Sequence, residues 1–473
     1  MTVGARRLEA FHHRNFTLFW LGNVGGNIGG WMQQVATGWL VLELTNSPAF
    51  LGLNALLQGV PLIVFALVGG VVADRFDRYR LIIVAQIATI IPDAVLAWLV
   101  MTGNVRVEHV FVYSVVTAMI GGLTNPSRQS FVPSLVPREA LLSALALNSM
   151  VWQGSAIIGP SLAGLALATG GLSLCFNASV GTDLLCLGML LLVRVPRTVP
   201  ARATVAGWRS VREGLAYAWG DDRLRMLLVS QATMAFFARP YTQLMPVFAR
   251  DVFVVGPQGL GVMLAMPAIG TITAAFGLAT IGRLPLVRTF LVVAATLACA
   301  LIGFSLTRNF PLALAFLFVI GGCISAGQTT LNTRIQELVS ERMRGRVMSL
   351  FMASNQGTWR LGATPAGIVA DFFGAPLAVG LGGVILLGAL GSLTRSRSLW
   401  AAGKDEAPNP TARGGEPTPS ARTGASNPSA KDGANLPLQP GASLPPNPGA
   451  NLALQPGGEP TLPTRGPRPT AGG

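Results

Sequence analysis

The sequence predicts an all-α membrane protein with about twelve transmembrane helices in two six-helix bundles, followed by a disordered C-terminal tail. Three observations carry that prediction. Of the 473 residues, 51% are hydrophobic and only 11% are charged, whereas a soluble globule carries about 25% charged residues. Apolar runs long enough to span a bilayer, roughly 20 residues at 1.5 Å each, recur about twelve times in two groups of six. A glycine pattern in the first group returns in the second.

The spans follow in order. Runs begin near Phe16, Pro48, Leu81, Val107, Leu141 and Leu172, and resume near Leu224, Leu260, Leu286, Phe310, Val347 and Ala375. Arg6, Arg7 and Arg14 precede the first run, which is too long for a signal-peptide core and lacks a small-residue cleavage site. It reads as an uncleaved first span. The first bundle occupies residues 1–195, a polar cytoplasmic linker 196–222, the second bundle 223–395 and the tail 396–473. The tail is built from Pro, Gly, Ala, Ser and Asn and cannot bury a core. Within the linker, Val205, Trp208, Val211, Leu215 and Tyr217 stand against Arg209, Arg212 and Glu213. That pattern suggests an amphipathic helix lying on the cytoplasmic face of the membrane. A linker helix without membrane contact is the other reading.

Charge sets the orientation. The chain carries a formal net charge of +14, and every base before the tail is Arg. One set of loops holds Arg75, Arg78, Arg80, Arg128, Arg138, Arg283, Arg288, Arg334, Arg342, Arg344 and Arg346. The opposite set holds Arg106, Arg250 and Arg308 beside Glu43, Glu108, Asp251 and Asp371. The positive-inside rule makes the Arg-rich side cytoplasmic. Both termini then lie there, in a multi-pass protein of the inner or plasma membrane. Basic charge placed this way belongs to membrane flanks and argues against nucleic acid as a partner. Cys175, Cys186, Cys299 and Cys323 lie in apolar runs at unrelated spacings, so they form neither a metal site nor a disulfide framework. With no G-x-x-x-x-G-K-[ST] phosphate loop and no nucleophile motif, an ATP-driven pump and an enzyme are disfavoured. No cofactor is expected.

The repeat relates the two groups. Gln153-Gly154, Gly159 and Gly164 in the fifth span match Gln356-Gly357, Gly362 and Gly367 in the eleventh at a constant offset. Gly121-Gly122 likewise matches Gly321-Gly322, and Pro61 matches Pro267. Two halves of the same orientation, related by an axis along the membrane normal, place a ligand site between them near the midplane.

Between the second and third spans the apolar run closes on Gly69-Gly70 and turns into Asp74-Arg75-Phe76-Asp77-Arg78-Tyr79-Arg80. This stretch resembles the loop signature of the major facilitator superfamily. Gly154-x4-Gly159-Pro160-x2-Ala163-Gly164 resembles the fifth-span signature of that superfamily's antiporters. Arg14–Gly22, Trp39–Pro48, Pro240–Arg250 and Arg344–Ser349 are similar to the branch containing the enterobactin exporter and macrolide efflux proteins. The likeness covers roughly Arg14 to Leu393. It implies the superfamily fold and export of a small amphiphilic molecule, drug or siderophore-like, in exchange for protons. Two departures stand out. Asp77 occupies a usual glycine position, and Val110–Met119 in the fourth span lacks the Arg that drug antiporters often carry there.

Ionisable groups inside a bilayer are expensive and functional. Asp93, Asp183, Arg239 and Arg360 are the four that fall deep in the spans. Asp93, Asp183 and, at the outer edge, Glu43 are the proton-coupling candidates; for Asp93 and Asp183 a structural ion pair is the competing reading. Gln231, Ala235, Arg239 and Gln243 lie four apart along the seventh span, Asn23, Asn27 and Gln34 stripe the first, and Gln356 and Arg360 the eleventh. Converging on one axis, these faces suit a polar or anionic substrate; interhelical hydrogen bonds are the alternative. Gly154, Gly159, Pro160 and Gly164 read as helix packing. Gly70, Asp74, Arg75, Arg78 and Arg346 read as a cytoplasmic gate, with Asp74 close to Arg346 or to the free amides at the start of the eleventh span. The expected partners are a small-molecule substrate, protons and the bilayer, with the chain acting as a monomer. An importer of a polar solute, or a nontransporting receptor whose tail recruits partners, would share most of these features.

Overall fold

A computed structural model describes residues 5–194, 208–281 and 286–394. Within those ranges the side chains of residues 5–8, 67, 70, 71, 73–75, 208–211, 279, 281, 286, 287, 342, 356 and 392–394 are outside the description. The tail, most of the linker before Trp208, Arg283, and the side chains of Asp74, Arg75 and Gln356 therefore lie outside the described residues, as does Gly70 beyond its helical backbone.

Among the described residues the chain is helices and short connections, with no strand. In order they are α1 (Arg14–Thr45), α2 (Pro48–Arg75), α3 (Arg78–Met101), α4 (Val107–Phe131), α5 (Leu141–Leu191), α6 (Trp208–Gly220), α7 (Asp222–Ala238), α8 (Tyr241–Val247), α9 (Gly256–Ile281), α10 (Leu286–Leu306), α11 (Phe310–Leu338), α12 (Glu341–Phe373) and α13 (Ala375–Thr394). Seven helical stretches among the described residues are long and apolar enough to cross a membrane.

α5 is longer than one crossing because it is a hairpin. Its single non-helical residue is Gly171, at φ 68° and ψ −166°, a conformation open to glycine because it has no Cβ. Ahead of that point the chain climbs α1: Trp20 Nε1 donates to Leu147 O at 3.1 Å, and Gly159 backs onto Ile28 and Trp31. Beyond it the chain descends. The Cys175 thiol faces Met32 O, Ser179 Oγ donates to Gly29 O, Gly22 meets Cys186 and Met189, and Asn15 Nδ2 donates to Arg194 O.

The connections sort to two ends. Asn46, Gly103, Gly171, Gly256 and Gly374 all have positive φ and follow α1, α3, the first limb of α5, α8 and α12, at one end of the up-and-down succession of helices. That end turns tightly on left-handed residues. The opposite end carries most of the arginines, and α3 and α7 start there on aspartate caps. Asp77 accepts from the backbone N–H of Tyr79 and of Arg80 at 2.9 and 3.2 Å, and Asp221 does the same for α7. The glycine position of the loop signature is thus filled by the N-cap of α3, and the α2–α3 turn is only Phe76 and Asp77.

The repeat is visible as packing. A methyl on Gly122 of α4 would stand 2.7 Å from Leu62 O of α2. Gly321 of α11 presses in the same way on Pro267 of α9. Gly159 of α5 backs onto α1, and its counterpart Gly362 of α12 backs onto Phe236 O of α7. The next pair crosses over. Gly164 of α5 meets Pro257 O and Gly261 of α9, whereas Gly367 of α12 meets Pro48 O and Gly52 of α2. Such reciprocity is what a two-fold relation between the halves produces. Small residues at each crossing let backbones touch where lipid offers no hydrophobic drive.

Candidate functional site

The two halves meet at the glycine-turn end. Ser47 Oγ donates to Asp371 Oδ1 at 2.6 Å, Arg250 donates to Leu42 O and to Asn46 Oδ1 at 3.1 and 2.9 Å, and Thr364 Oγ1 donates to Gly52 O at 3.2 Å. These hydrogen bonds join the part before residue 195 to the part after residue 207. Gly38 of α1 touches Pro246 of α8 there. Towards the arginine end the contacts give out along these faces. A methyl on Gly30 or Gly154 would meet nothing within 4 Å, and Gln34, one turn from Gly38 on the same face, is exposed. A gap therefore opens beside α1 on the arginine side of the Gly38–Pro246 contact, while α2 and α12 stay in touch there, Gly357 against Ile63.

A cationic cluster faces that gap from the C-terminal half. Pro240 has no N–H to donate back to Phe236 O, so α7 ends at Ala238, with Arg239 in the break before α8. The bared Phe236 carbonyl is the one that Gly362 covers. Arg239 lies seven residues before Pro246 and Gln34 four before Gly38, about 10 and about 6 Å of helix rise, so they sit at similar depth. Arg239 donates to Asn355 Oδ1 at 2.8 Å, and Gln328 Nε2 donates to the same oxygen at 3.0 Å. The guanidinium carbons of Arg239 and Arg360 lie 5.6 and 4.6 Å from the centre of the Trp359 ring. Arg360 also packs its methylene stem on Gly59 of α2, across the interface. Two cations on one indole, the first bonded to a neutral amide, make a surface for an anionic group attached to an aromatic or apolar body.

The two carboxyls form a second cluster inside the N-terminal half. Asp93 of α3 and Asp183 of α5 are buried and stand within hydrogen-bonding reach of each other. Gln33 Nε2 of α1 donates to Asp93 Oδ1 at 2.9 Å, and Tyr113 of α4 also reaches Asp93. Gln86 Nε2 donates to Asp183 Oδ1 at 3.1 Å. Ser179 Oγ donates to Gln33 Oε1, and Arg128 of α4 to Gln86 Oε1. Acids and bases thus do not pair across the molecule: the acids meet each other and the bases share an indole. Gln33, Gln86, Tyr113, Asn355 and Trp359 escaped the sequence reading. Gln33 could have been found as the polar residue on the strongly apolar face of α1, beside the exposed Gln34.

The other candidates disperse. Asn23 Nδ2 donates to Asn148 Oδ1 at 3.3 Å, and Asn27 Nδ2 turns back to Asn23 O. Gln243 is half-buried. Gln231 is fully buried with its amide unpartnered, so it does not face the gap; the break at Pro240 separates it from Gln243. Glu43 is exposed at the glycine-turn end. Gly159, Pro160 and Gly164 lie in close interhelical contact, whereas the space beside Gly154 is open. Arg78 donates to Ser130 O at 3.3 Å, and Arg346 pairs with Glu213 of α6 at 2.8 Å. α6 is docked on the bundle: Ala218 is buried with Leu224, Val347 and Phe351, and Gly214 backs onto Arg346, while Leu215 and Trp219 stay exposed. Among the described residues no His, Cys, Asp and Glu group could hold a metal.

Three comparisons bear on this geometry. Residues 5–417 match the family described as "Transmembrane secretion effector". The chain is 24% identical over 361 residues to the staphyloferrin A transporter of Staphylococcus aureus (strain NCTC 8325 / PS 47), covering 73% of this chain and 87% of that one. It is 27% identical over 357 residues to the enterobactin exporter EntS of Escherichia coli O1:K1 / APEC, covering 72% and 79%. Among solved structures, a bacterial homolog of the human lysosomal transporter Spinster superposes with a TM-score of 0.64 at 16% identity, over 84% of this chain and 97% of that one. At that identity the likeness concerns the fold.

Proposed function

We propose, for a chain that belongs to the transmembrane secretion effector family of the major facilitator superfamily, proton-driven export of a small anionic amphiphile. Family membership makes it a multi-pass membrane transporter and not an enzyme. The remainder is our reading. The two limbs of α5, the broken α7–α8 and the other long helices supply twelve crossings in two bundles of six. The arginine end is cytoplasmic, as the positive-inside rule requires, with both termini on that side. The gap then opens inward, and the touching glycines form its outer closure.

The observation that carries this reading is the Arg239–Trp359–Arg360 cluster at the gap. An anionic substrate with an apolar body, as drug or siderophore-like molecules have, would enter from the cytoplasm and displace water from the two guanidiniums. Rocking of the halves would exchange the outer closure for an inner one. The inner gate would use Gly70, Asp74, Arg75, Arg78 and Arg346, with Arg346 leaving Glu213 for Asp74 as the cytoplasmic side shuts. Staphyloferrin A and enterobactin, carried in the relatives' names, are the first substrates to try. The test is efflux profiling of a deletion strain, with and without the wild-type or Arg239→Ala chain, against these two, a macrolide and a cationic dye. Export of an anion that is lost in Arg239→Ala supports the proposal; export of the dye alone contradicts it.

A further inference from the structure

We propose that Asp93 and Asp183 work as one proton-carrying unit, holding a single proton between α3 and α5 and releasing it towards the arginine end beside Gln86 and Arg128. The inference deepens the proposed function, on whose antiport reading it rests, by naming the proton site. Its ground is the donor inventory of the cluster. Ionised carboxylates only accept, so two carboxyls in hydrogen-bonding reach of each other need one O–H between them. Two full charges that close in a buried site repel strongly, and such pairs titrate as a unit.

The surroundings fit a pair that gains and loses one proton. From α1 the Gln33 amide donates to Asp93; from α3 the Gln86 amide donates to Asp183. α4 contributes the Tyr113 hydroxyl and, one amide removed, the Arg128 guanidinium. α5 contributes Ser179, bonded to Gln33, and the Cys186 thiol, 3.8 Å from Gln86 Oε1. These neighbours are neutral except Arg128, which lies in the last turn of α4 at the arginine end. When the shared proton passes to water, the pair goes from one negative charge to two. Arg128, drawn inward past Gln86, would then balance the second charge.

The same cluster supplies a link to the substrate gap. Gln33 holds Asp93, while Gln34, the next residue, is exposed on the face of α1 that meets α8. Consecutive helical residues point about 100° apart, so one helix carries a contact to each site. A change in charge at the pair alters the pull on Gln33 and biases the position of α1.

Infrared difference spectroscopy of the purified full chain, titrated from alkaline to acid pH, reads the protonated carboxyl directly. One buried carboxyl should titrate per wild-type chain. Asp93→Asn and Asp183→Asn should each remove that signal, and Asn at both positions should remove no more than either alone. Asp93→Glu and Asp183→Glu, which keep both carboxyls, should retain it and thereby exclude misfolding as the cause. In proteoliposomes, movement of staphyloferrin A or enterobactin driven by a pH gradient should fall at least tenfold in each Asn variant. A wild-type pair that never titrates, or two carboxyls titrating independently, would overturn the proposal. Because the infrared reading needs no substrate, a titrating pair in a chain that moves no anion would sink the export reading while leaving the proton unit standing.

Discussion

At Arg239 a guanidinium is held from two sides, by the Asn355 carbonyl and by the Trp359 ring, while the Pro240 break leaves it beside the gap. Hydrogen bonds to charged groups contribute about 1.5–3 kcal/mol, and each 1.4 kcal/mol is about a tenfold change in affinity. Arg239→Gln should therefore raise the half-saturating concentration of an anionic substrate by about tenfold to about a hundredfold. Trp359→Leu, which removes a cation–π contact of about 0.5–2 kcal/mol, should raise it by several fold to about thirtyfold. Transport into proteoliposomes over a range of substrate concentrations measures both; an unchanged half-saturation in Arg239→Gln would contradict the site. The ionisable residues themselves were legible in the sequence, since a charge in an apolar run stands out. Their partners were not. Gln33 and Gln34 are adjacent and chemically identical, and only the packing of α1 decides which one meets Asp93. Arg128 looked like one loop arginine among many because its reach to Gln86 depends on how α3 and α4 cross.

Individual helices bear a different set of consequences. Asp77 caps α3 through two backbone amides, and replacing a cap by Ala costs about 1 kcal/mol. Asp77→Ala should lower the thermal midpoint of the purified protein slightly while leaving transport intact. The glycine crossings are less forgiving. A methyl on Gly52 would stand 2.7 Å from Ala363 O, and one on Gly164 2.7 Å from Pro257 O, and overpacking of this kind costs about 1–3 kcal/mol. Gly164→Ala should weaken the closure at the glycine-turn end. Cysteines placed in the gap should then react faster with an impermeant thiol reagent added from outside; an unaltered rate would show that the contact does not hold that end shut. Helix existence was legible from apolar run length, and the repeat from glycine spacing, because both depend on local sequence. The break before α8 was not read from Pro240, so Gln231 and Gln243 were joined on one face that the structure divides. Asp77 was read as a departure from a glycine signature; its carboxyl instead satisfies amides that the shorter turn leaves bare.

Across the whole molecule, charge, turns and packing agree on two unlike ends. Left-handed turns and the backbone contacts between halves mark one, most of the arginines the other, and the carboxyl pair and the cationic cluster lie between them. The Glu213–Arg346 pair is partly exposed on both sides, and such pairs contribute about 0–1 kcal/mol. Arg346 can therefore exchange partners at little cost, as the proposed gate requires. Asp74→Asn should leave the cytoplasmic side open more of the time, read as faster labelling of gap cysteines from that side; an unchanged rate would remove Asp74 from the gate. The most direct test of the account is uptake of enterobactin or staphyloferrin A into inverted vesicles under an imposed pH gradient, acid inside. The account predicts accumulation that collapses with a protonophore and is lost in Arg239→Ala and in Asp93→Asn. Accumulation that persists without the gradient, or in either variant, would contradict it.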